Sequence, residues 1–213
     1  MLKIQCNLYD RYGNVFSFGA GMFGQLGLLE KNGKEPLLCA FVPTVVNKRH
    51  FGDEAVVQVA CGEVHSVALT ESGVLYTFGF QVTLGRGDNA TKDNGEIILP
   101  VSGLPLGGIV QVSCNGFCTV VRTVENFVYV WGDLGLHDEI PNIPKPYKLH
   151  HADGSSFLAE SVAASDHFVV LADLMGNVYC YNEDGNFRPV LELPGRRVSM
   201  LSCCKFAWVA LLQ

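Results

Sequence analysis

The chain repeats itself, and the repeat leaves few folds open to it. Residues 56–79, VVQVACGEVHSVALTESGVLYTFG, read as an alternating apolar strand, a break at Ala60-Cys61-Gly62 and a second apolar strand. A Ser72-Gly73 turn then leads to a third strand ending in Phe78-Gly79. Residues 109–132, IVQVSCNGFCTVVRTVENFVYVWG, follow the same course, with Ser113-Cys114 standing for Ala60-Cys61 and Trp131-Gly132 for Phe78-Gly79. A weaker copy occupies 158–182, where His167 keeps to Leu171 the spacing that His65 keeps to Leu69. Each end carries half a copy: 13–19, GNVFSFG, matches the third strand, and 198–212, VSMLSCCKFAWVALL, matches the first two. The closing aromatics at 18, 78, 131 and 181 lie 60, 53 and 50 residues apart. That is longer than a WD-type repeat of about 40–45 residues and within the size of a propeller blade.

A unit of three short strands rich in Val, Phe, Tyr and Leu cannot bury both of its faces alone, so successive units must stack. The expected fold is all-β: one domain over 1–213, a β-propeller of about four blades. Its copies lie near 13–28 together with 198–212, then 56–87, 109–138 and 158–189. Because the half-copies complement each other, either 13–19 pairs with 198–212 and closes a ring, or the propeller is partial. An open arc would expose the flat apolar faces of its end blades and self-associate. Glycine supplies the turns: 23 of 213 residues, about 11% against a usual value of roughly 7%.

Composition closes off other classes. The 15 Lys and Arg against 21 Asp and Glu leave a net charge of −6. That builds no basic surface of the kind nucleic-acid binding needs, so no nucleic acid is expected as partner. The first dozen residues carry charges, and no stretch approaches the roughly 18 apolar residues of a membrane span. The expectation is an intracellular protein, cytoplasmic or nuclear, with no membrane partner. The eight cysteines, at 6, 39, 61, 114, 118, 180, 203 and 204, form no CxxC pair and no zinc spacing. Cys61, Cys114 and Cys203 fall at one repeat position, which reads as a small packing site.

The pattern resembles the regulator of chromosome condensation repeat family, whose members are β-propellers usually built of seven blades. The residues that carry the resemblance are VVQVACGEVHSVAL with GVLYTFG, and FGAGMFGQLGL at 18–28. The latter is close to that family's Trp-Gly-x-Gly-x-x-Gly-Gln-Leu-Gly motif. The copies cover nearly the whole chain, although the glycine run shortens at 78–85 and 131–135 and is lost at Tyr181-Asn182. The resemblance implies a propeller that binds a protein partner, and it raises guanine-nucleotide exchange on a small GTPase as an activity.

Local motifs add no chemistry. GAGMFG at 19–24 matches the dinucleotide-binding GxGxxG, but glycine continues at Gly27 and Asn32-Gly33 breaks the helix that motif requires, so no cofactor is expected. His65 sits inside CGEVHSVAL, yet its repeat equivalents are Cys118, His167 and Ala207, which no shared acid–base role tolerates. His150-His151 with Asp153, and His137-Asp138-Glu139, read as surface loops rather than metal ligands. Residues 88–96, DNATKDNGE, fail the calcium-loop pattern at Ala90 and Lys92. No catalytic residue and no metal site is expected, and the chain is not read as an enzyme.

Binding is expected instead at the turns joining the first two strands of each copy: Gly62-Glu63-Val64, Asn115-Gly116-Phe117, Ser165-Asp166 and Cys204-Lys205-Phe206. Repeats related by rotation present such turns on one face, and loops on a rigid scaffold carry binding residues. Phe117 and Phe206 are the expected anchors, flanked by Glu63, Asp166 and Lys205.

Overall fold

The protein is described by a computed structural model that covers residues 5–30, 35–87, 98–134, 143–166, 168–182, 186–191, 197–203 and 208–212. Among these residues the strands form five antiparallel sheets, here blades I to V, and no α-helix. Blade I holds β1 (Gln5–Tyr9), β2 (Val15–Ala20) and β3 (Cys39–Val45). Blade II holds β4 (Val56–Cys61), β5 (His65–Thr70), β6 (Leu75–Gly79) and β7 (Leu99–Pro100). Blade III holds β8 (Ile109–Asn115), β9 (Cys118–Thr123), β10 (Val128–Gly132) and β11 (Ile143–Lys148). Blade IV holds β12 (Ala159–Ala164), β13 (Phe168–Asp173), β14 (Val178–Asn182) and β15 (Phe187–Leu191). Blade V holds β16 (Val198–Cys203) and β17 (Trp208–Leu212). Within each blade every strand pairs with the strand before or after it in the chain, so each sheet is an antiparallel meander.

One turn recurs between β1 and β2, β5 and β6, β9 and β10, and β13 and β14. Asp10 Oδ1 accepts the N–H groups of Tyr12 and Asn14, both at 2.9 Å. Asp173 does the same for Met175 and Asn177 at 2.8 Å. In blades II and III the hydroxyls of Thr70 and Thr123 take over, accepting from Val74 and Phe127. Each turn then needs a left-handed residue, supplied by Gly13, Gly73, Asn126 and Gly176 with φ of 74°, 79°, 67° and 93°. Glycine has no Cβ to clash there, and asparagine is the side chain that tolerates it best.

Four buried clusters correspond to the four junctions between consecutive blades. Val15 and Val46 of blade I meet Val56, Ala68 and Phe78 of blade II. Val67, Leu69 and Leu75 meet Ile109, Val112, Val121 and Trp131. Cys118, Val120, Val128 and Val130 meet Val162, Val169, Leu171 and Tyr181. Ala163, Val170, Ala172 and Val178 meet Val198 and Leu201, with Trp208, Ala210 and Leu212 at the edge. Alternation along each strand thus sends one set of side chains to the preceding blade and the other to the following blade.

A polar clamp repeats at three of these junctions. Each innermost strand shifts register at one place, between Val56 and Gln58, Ile109 and Gln111, Ala159 and Ser161, and Val198 and Met200. Such a bulge re-aims the residue that follows it. Gln58 donates from Nε2 to Val112 O (2.9 Å) and accepts from Val112 N–H at Oε1 (3.2 Å). Gln111 repeats both bonds with Val162, at 3.0 and 3.4 Å. Ser161 Oγ accepts from Leu201 N–H at 2.9 Å. Each innermost strand therefore has backbone groups satisfied by the blade before it.

Two expectations are corrected. Residues 13–19 do not pair with 198–212: β2 has both edges occupied, by β1 and β3, while β16 and β17 pair only with each other among the described residues. The cause is β1, a second strand for the first copy, which makes the two chain ends overlap in content instead of completing each other. The register also moves one equivalence. Phe168 lies opposite Asn182 as His65 lies opposite Gly79 and Cys118 opposite Gly132. Phe168, and not His167, is the counterpart of His65. His167 itself lies outside the described residues.

Candidate interaction face

The turns between first and second strands touch one another in series. Glu63 N–H donates to Gly116 O across the junction of blades II and III at 2.7 Å. A β-carbon on Gly116 would stand 3.1 Å from Asp166 Cα, so the third turn follows directly. Just beneath, the first residue of each second strand grips the next blade. Gln5 Nε2 donates to Gly62 O (3.1 Å) and His65 O (2.5 Å), His65 Nε2 lies 2.8 Å from Thr119 Oγ1, and Cys118 Sγ donates to Ser165 O at 3.4 Å. The turns form one continuous, tethered end of the molecule.

The exits of the third strands border the same end. Phe80 N–H donates to Val64 O at 2.9 Å and Asp133 N–H to Phe117 O at 3.1 Å. The preceding glycines permit this approach: a β-carbon at Gly79 would fall 2.4 Å from Val64 O, and one at Gly132 would fall 2.2 Å from Phe117 O. The aromatic-glycine pair of the repeat is thus a packing requirement. GAGMFG at 19–24 is a turn on this face. Ser66 Oγ donates to Gln25 O at 2.7 Å, and Leu26 is fully buried in the junction of blades I and II.

At the rim stands an apolar pair that the repeat arithmetic does not single out. The rings of Phe23 and Phe80 meet edge to face, with centroids 5.2 Å apart, and remain 42% and 36% exposed. Met22 and Val82 extend the patch into solvent. Aromatic residues held by rigid loops with open faces are the usual centres of protein interfaces. The available signal was the difference between copies, since Met22, Phe23 and Phe80 occupy turn positions that need no apolar side chain.

Of the expected binding residues, Glu63 is exposed, Phe117 is half-buried and Asp166 is 8% exposed within the row of turns. Lys205 and Phe206 lie outside the described residues, as do His137-Asp138-Glu139 and 88–96. His151 packs its ring against Phe157 and Phe187, and Asp153 accepts from Ser155 N–H and Oγ. Among the described residues no group of three or more His, Cys, Asp or Glu is placed to hold a metal ion.

The buried groups of this end are poor reagents. Burial pulls His65 down to about 4, so its imidazole is neutral at physiological pH. Burial pushes the Cys61 thiol up to about 11, Cys118 up to about 12 and Cys114 well above the ordinary range. Thiols held protonated are weak nucleophiles and weak metal ligands.

Comparison with known proteins places this geometry. The model of the regulator of chromosome condensation (RCC1) repeat matches residues 12–69. The human E3 ubiquitin-protein ligase HERC2 is 35% identical over 126 residues, covering 57% of this chain and 2% of that protein. The rat probable E3 ubiquitin-protein ligase HERC4 is 33% identical over 190 residues, covering 78% of this chain and 17% of that protein. Among solved structures, human WBSCR16 superposes with a TM-score of 0.77 at 22% identity, over 98% of this chain and 57% of that one. Prp20p from Saccharomyces cerevisiae, characterised for binding to Gsp1p and histones, superposes with a TM-score of 0.72 at 20% identity, over 96% and 52%. The five sheets are therefore blades of a β-propeller of this type. The chain spans about half of those two propeller chains and a small part of the ligases.

Proposed function

This chain belongs to the regulator of chromosome condensation repeat family, and from that premise we propose that it is a non-catalytic protein-interaction module acting inside the cell. Its binding end is the row of turns at 62–64, 115–117 and 165–166 together with the Phe23–Phe80 patch. The observation that carries this reading is the exposed aromatic pair, held on loops whose backbone is bonded into the blades. Acid–base or nucleophilic chemistry has no comparable support, because the histidine and thiols nearby are buried in their uncharged forms.

The test uses the purified chain and its Phe23→Ala/Phe80→Ala variant as baits, with folding of both checked by circular dichroism. Partners that the wild-type chain retains and the folded variant releases support the reading. A variant that keeps every partner overturns it.

A second reading is guanine-nucleotide exchange on a small GTPase, favoured by the superposition on Prp20p. Exchange needs no acid or base: a rigid surface displaces the segments of the partner that its bound nucleotide keeps ordered. Release of labelled nucleotide from a small GTPase, timed with and without excess chain, separates the two readings. Acceleration establishes exchange, and an unchanged rate removes it.

A further inference from the structure

The Phe23–Phe80 patch lies over the junction of blades I and II, and blade II is itself packed on blade III. The exit loop of blade I leans on blade II as that of blade II leans on blade III. Leu26 and Leu84 are both fully buried. A β-carbon on Gly27 would fall 3.2 Å from the Phe78 ring, and one on Gly85 would fall 2.7 Å from the equivalent Trp131 ring. Between the exit glycine and the buried leucine, blade I has six residues, 20–25, and blade II has four, 80–83. Met22 and Phe23 belong to the longer stretch, so a local lengthening of the loop presents Phe23 at an internal junction.

Both rings are held before any partner arrives. Gln25 Oε1 accepts Phe23 N–H at 2.8 Å, and Gly24 N–H donates to Gly21 O at 2.9 Å. Phe80 donates its N–H to Val64 O, and its carbonyl accepts Thr83 N–H at 3.1 Å and Thr83 Oγ1 at 2.6 Å. Loops ordered in advance lower the entropic cost of binding.

The surroundings of the patch are negatively charged. Among the described residues of the turns and exit loops at this end, the acidic ones are Glu30, Glu35, Glu63, Asp133 and Asp166. The basic one is Arg86, whose guanidinium turns into blade II to donate to Thr77 O and Leu99 O. Lys145 of β11 borders the end beside Gly87. Glu63 is exposed and adjoins Val64, whose carbonyl holds Phe80. The face of an aromatic ring carries partial negative charge, so open Phe rings beside a carboxylate attract the same ligand, a cation on an apolar stem. Arginine suits both, because its planar guanidinium stacks on a ring and donates paired hydrogen bonds to a carboxylate.

On the interaction-module reading above, which this deepens, we propose that the segment bound here is basic. An arginine of the partner protein lies on the Phe23 and Phe80 rings and meets Glu63, and an adjoining apolar residue covers Met22 and Val82. An acidic segment would meet like charge at Glu63.

Random octapeptides displayed on phage test this, selected on the purified chain, on Phe23→Ala/Phe80→Ala and on Glu63→Lys, with circular dichroism checking each fold. The wild-type chain should enrich peptides with arginine beside an apolar residue and deplete Asp and Glu. A selected peptide, synthesised with a fluorescent label, should bind the double Phe variant about tenfold or more weakly. It should bind Glu63→Lys roughly three- to tenfold more weakly, and salt should weaken its binding to the wild-type chain. Acidic or uncharged peptides whose binding still requires Phe23 and Phe80 overturn this proposal and leave the interaction-module reading standing. Peptides indifferent to both Phe residues overturn the two together. A chain that selects no peptide, or an arginine peptide that binds Glu63→Lys undiminished, overturns the proposal alone. If either variant fails to fold, Phe23→Gln and Glu63→Gln replace them, with losses in the same direction.

Discussion

His65 Nε2 lies 2.8 Å from Thr119 Oγ1 across the junction of blades II and III, while Nδ1 is buried without a hydrogen-bond partner among the described residues. The neutral ring fits this site and the imidazolium does not, because a second N–H charge would be stranded away from water.

Stability should therefore depend on acid in a particular window. Burial lowers the folded-state value from 6.5 to about 4, so on acidification the unfolded chain takes up the proton first. Stability is full above pH 6.5 and falls as pH drops toward 4, by on the order of 3 kcal/mol in all. Urea midpoints at pH 7 and pH 5 check this. The wild-type chain should lose roughly 2 kcal/mol between them, and His65→Gln, which copies Gln5 at the equivalent position of blade I, should lose little. Equal losses in both chains would count against His65 as the source.

Gln111 serves both backbone groups of Val162 and also accepts from Arg122 Nε at 3.2 Å. Gln111→Ala should lower stability by about 1–3 kcal/mol, since the bonds are lost and Val162 is left unpaired at a junction. The denaturant midpoint reports it, and an unshifted midpoint would mean the clamp adds nothing net.

Trp131 is fully buried between blades II and III and donates from Nε1 to Thr83 O at 3.1 Å. Trp131→Ala should cost about 3–5 kcal/mol through the cavity it leaves. Trp131→Phe, which keeps most of the ring but not the donor, should cost about 1–2 kcal/mol. Thermal melts of the two variants should therefore separate, and coincident melts would assign the whole effect to the hydrogen bond.

Gly79 and Gly154 both have left-handed φ values, 126° and 84°, but only Gly79 is crowded. A methyl group there would stand 2.4 Å from Val64 O, whereas nothing lies within 4 Å of one on Gly154. Alanine at Gly154 should cost backbone strain of roughly 1–2 kcal/mol. Alanine at Gly79 should cost that and about 1–3 kcal/mol more for the forced shift. Similar losses at the two sites would show that the exit loop moves freely.

The strands of blades II and III were legible because period-two alternation and the recurring aromatic-glycine pair both depend on local covalent geometry. Strand β1 was legible too, in principle: Asp10-Arg-Tyr-Gly-Asn14 is the same turn as Asp173-Leu-Met-Gly-Asn177. Reading the first copy as a bare third strand overlooked it, and the ring closure inferred from that count went with it. His167 was aligned by its spacing to Leu171, but a strand's register is set by backbone bonds to β14, and these place Phe168 opposite Asn182. A slip of one residue reverses which face every side chain presents.

By itself the sequence determined the all-β class, the blade-sized repeat, the turn positions and the family, because each is written in nearest-neighbour preferences. Which face of a strand meets the preceding blade and which the following one was decided only by packing. So were the bulges that aim Gln58 and Gln111 into the next blade, and the meeting of Phe23 with Phe80 from loops of two different blades. Those relations join residues more than fifty positions apart in the chain. No local preference specifies a contact of that span; it exists only once neighbouring blades have buried their apolar faces against each other.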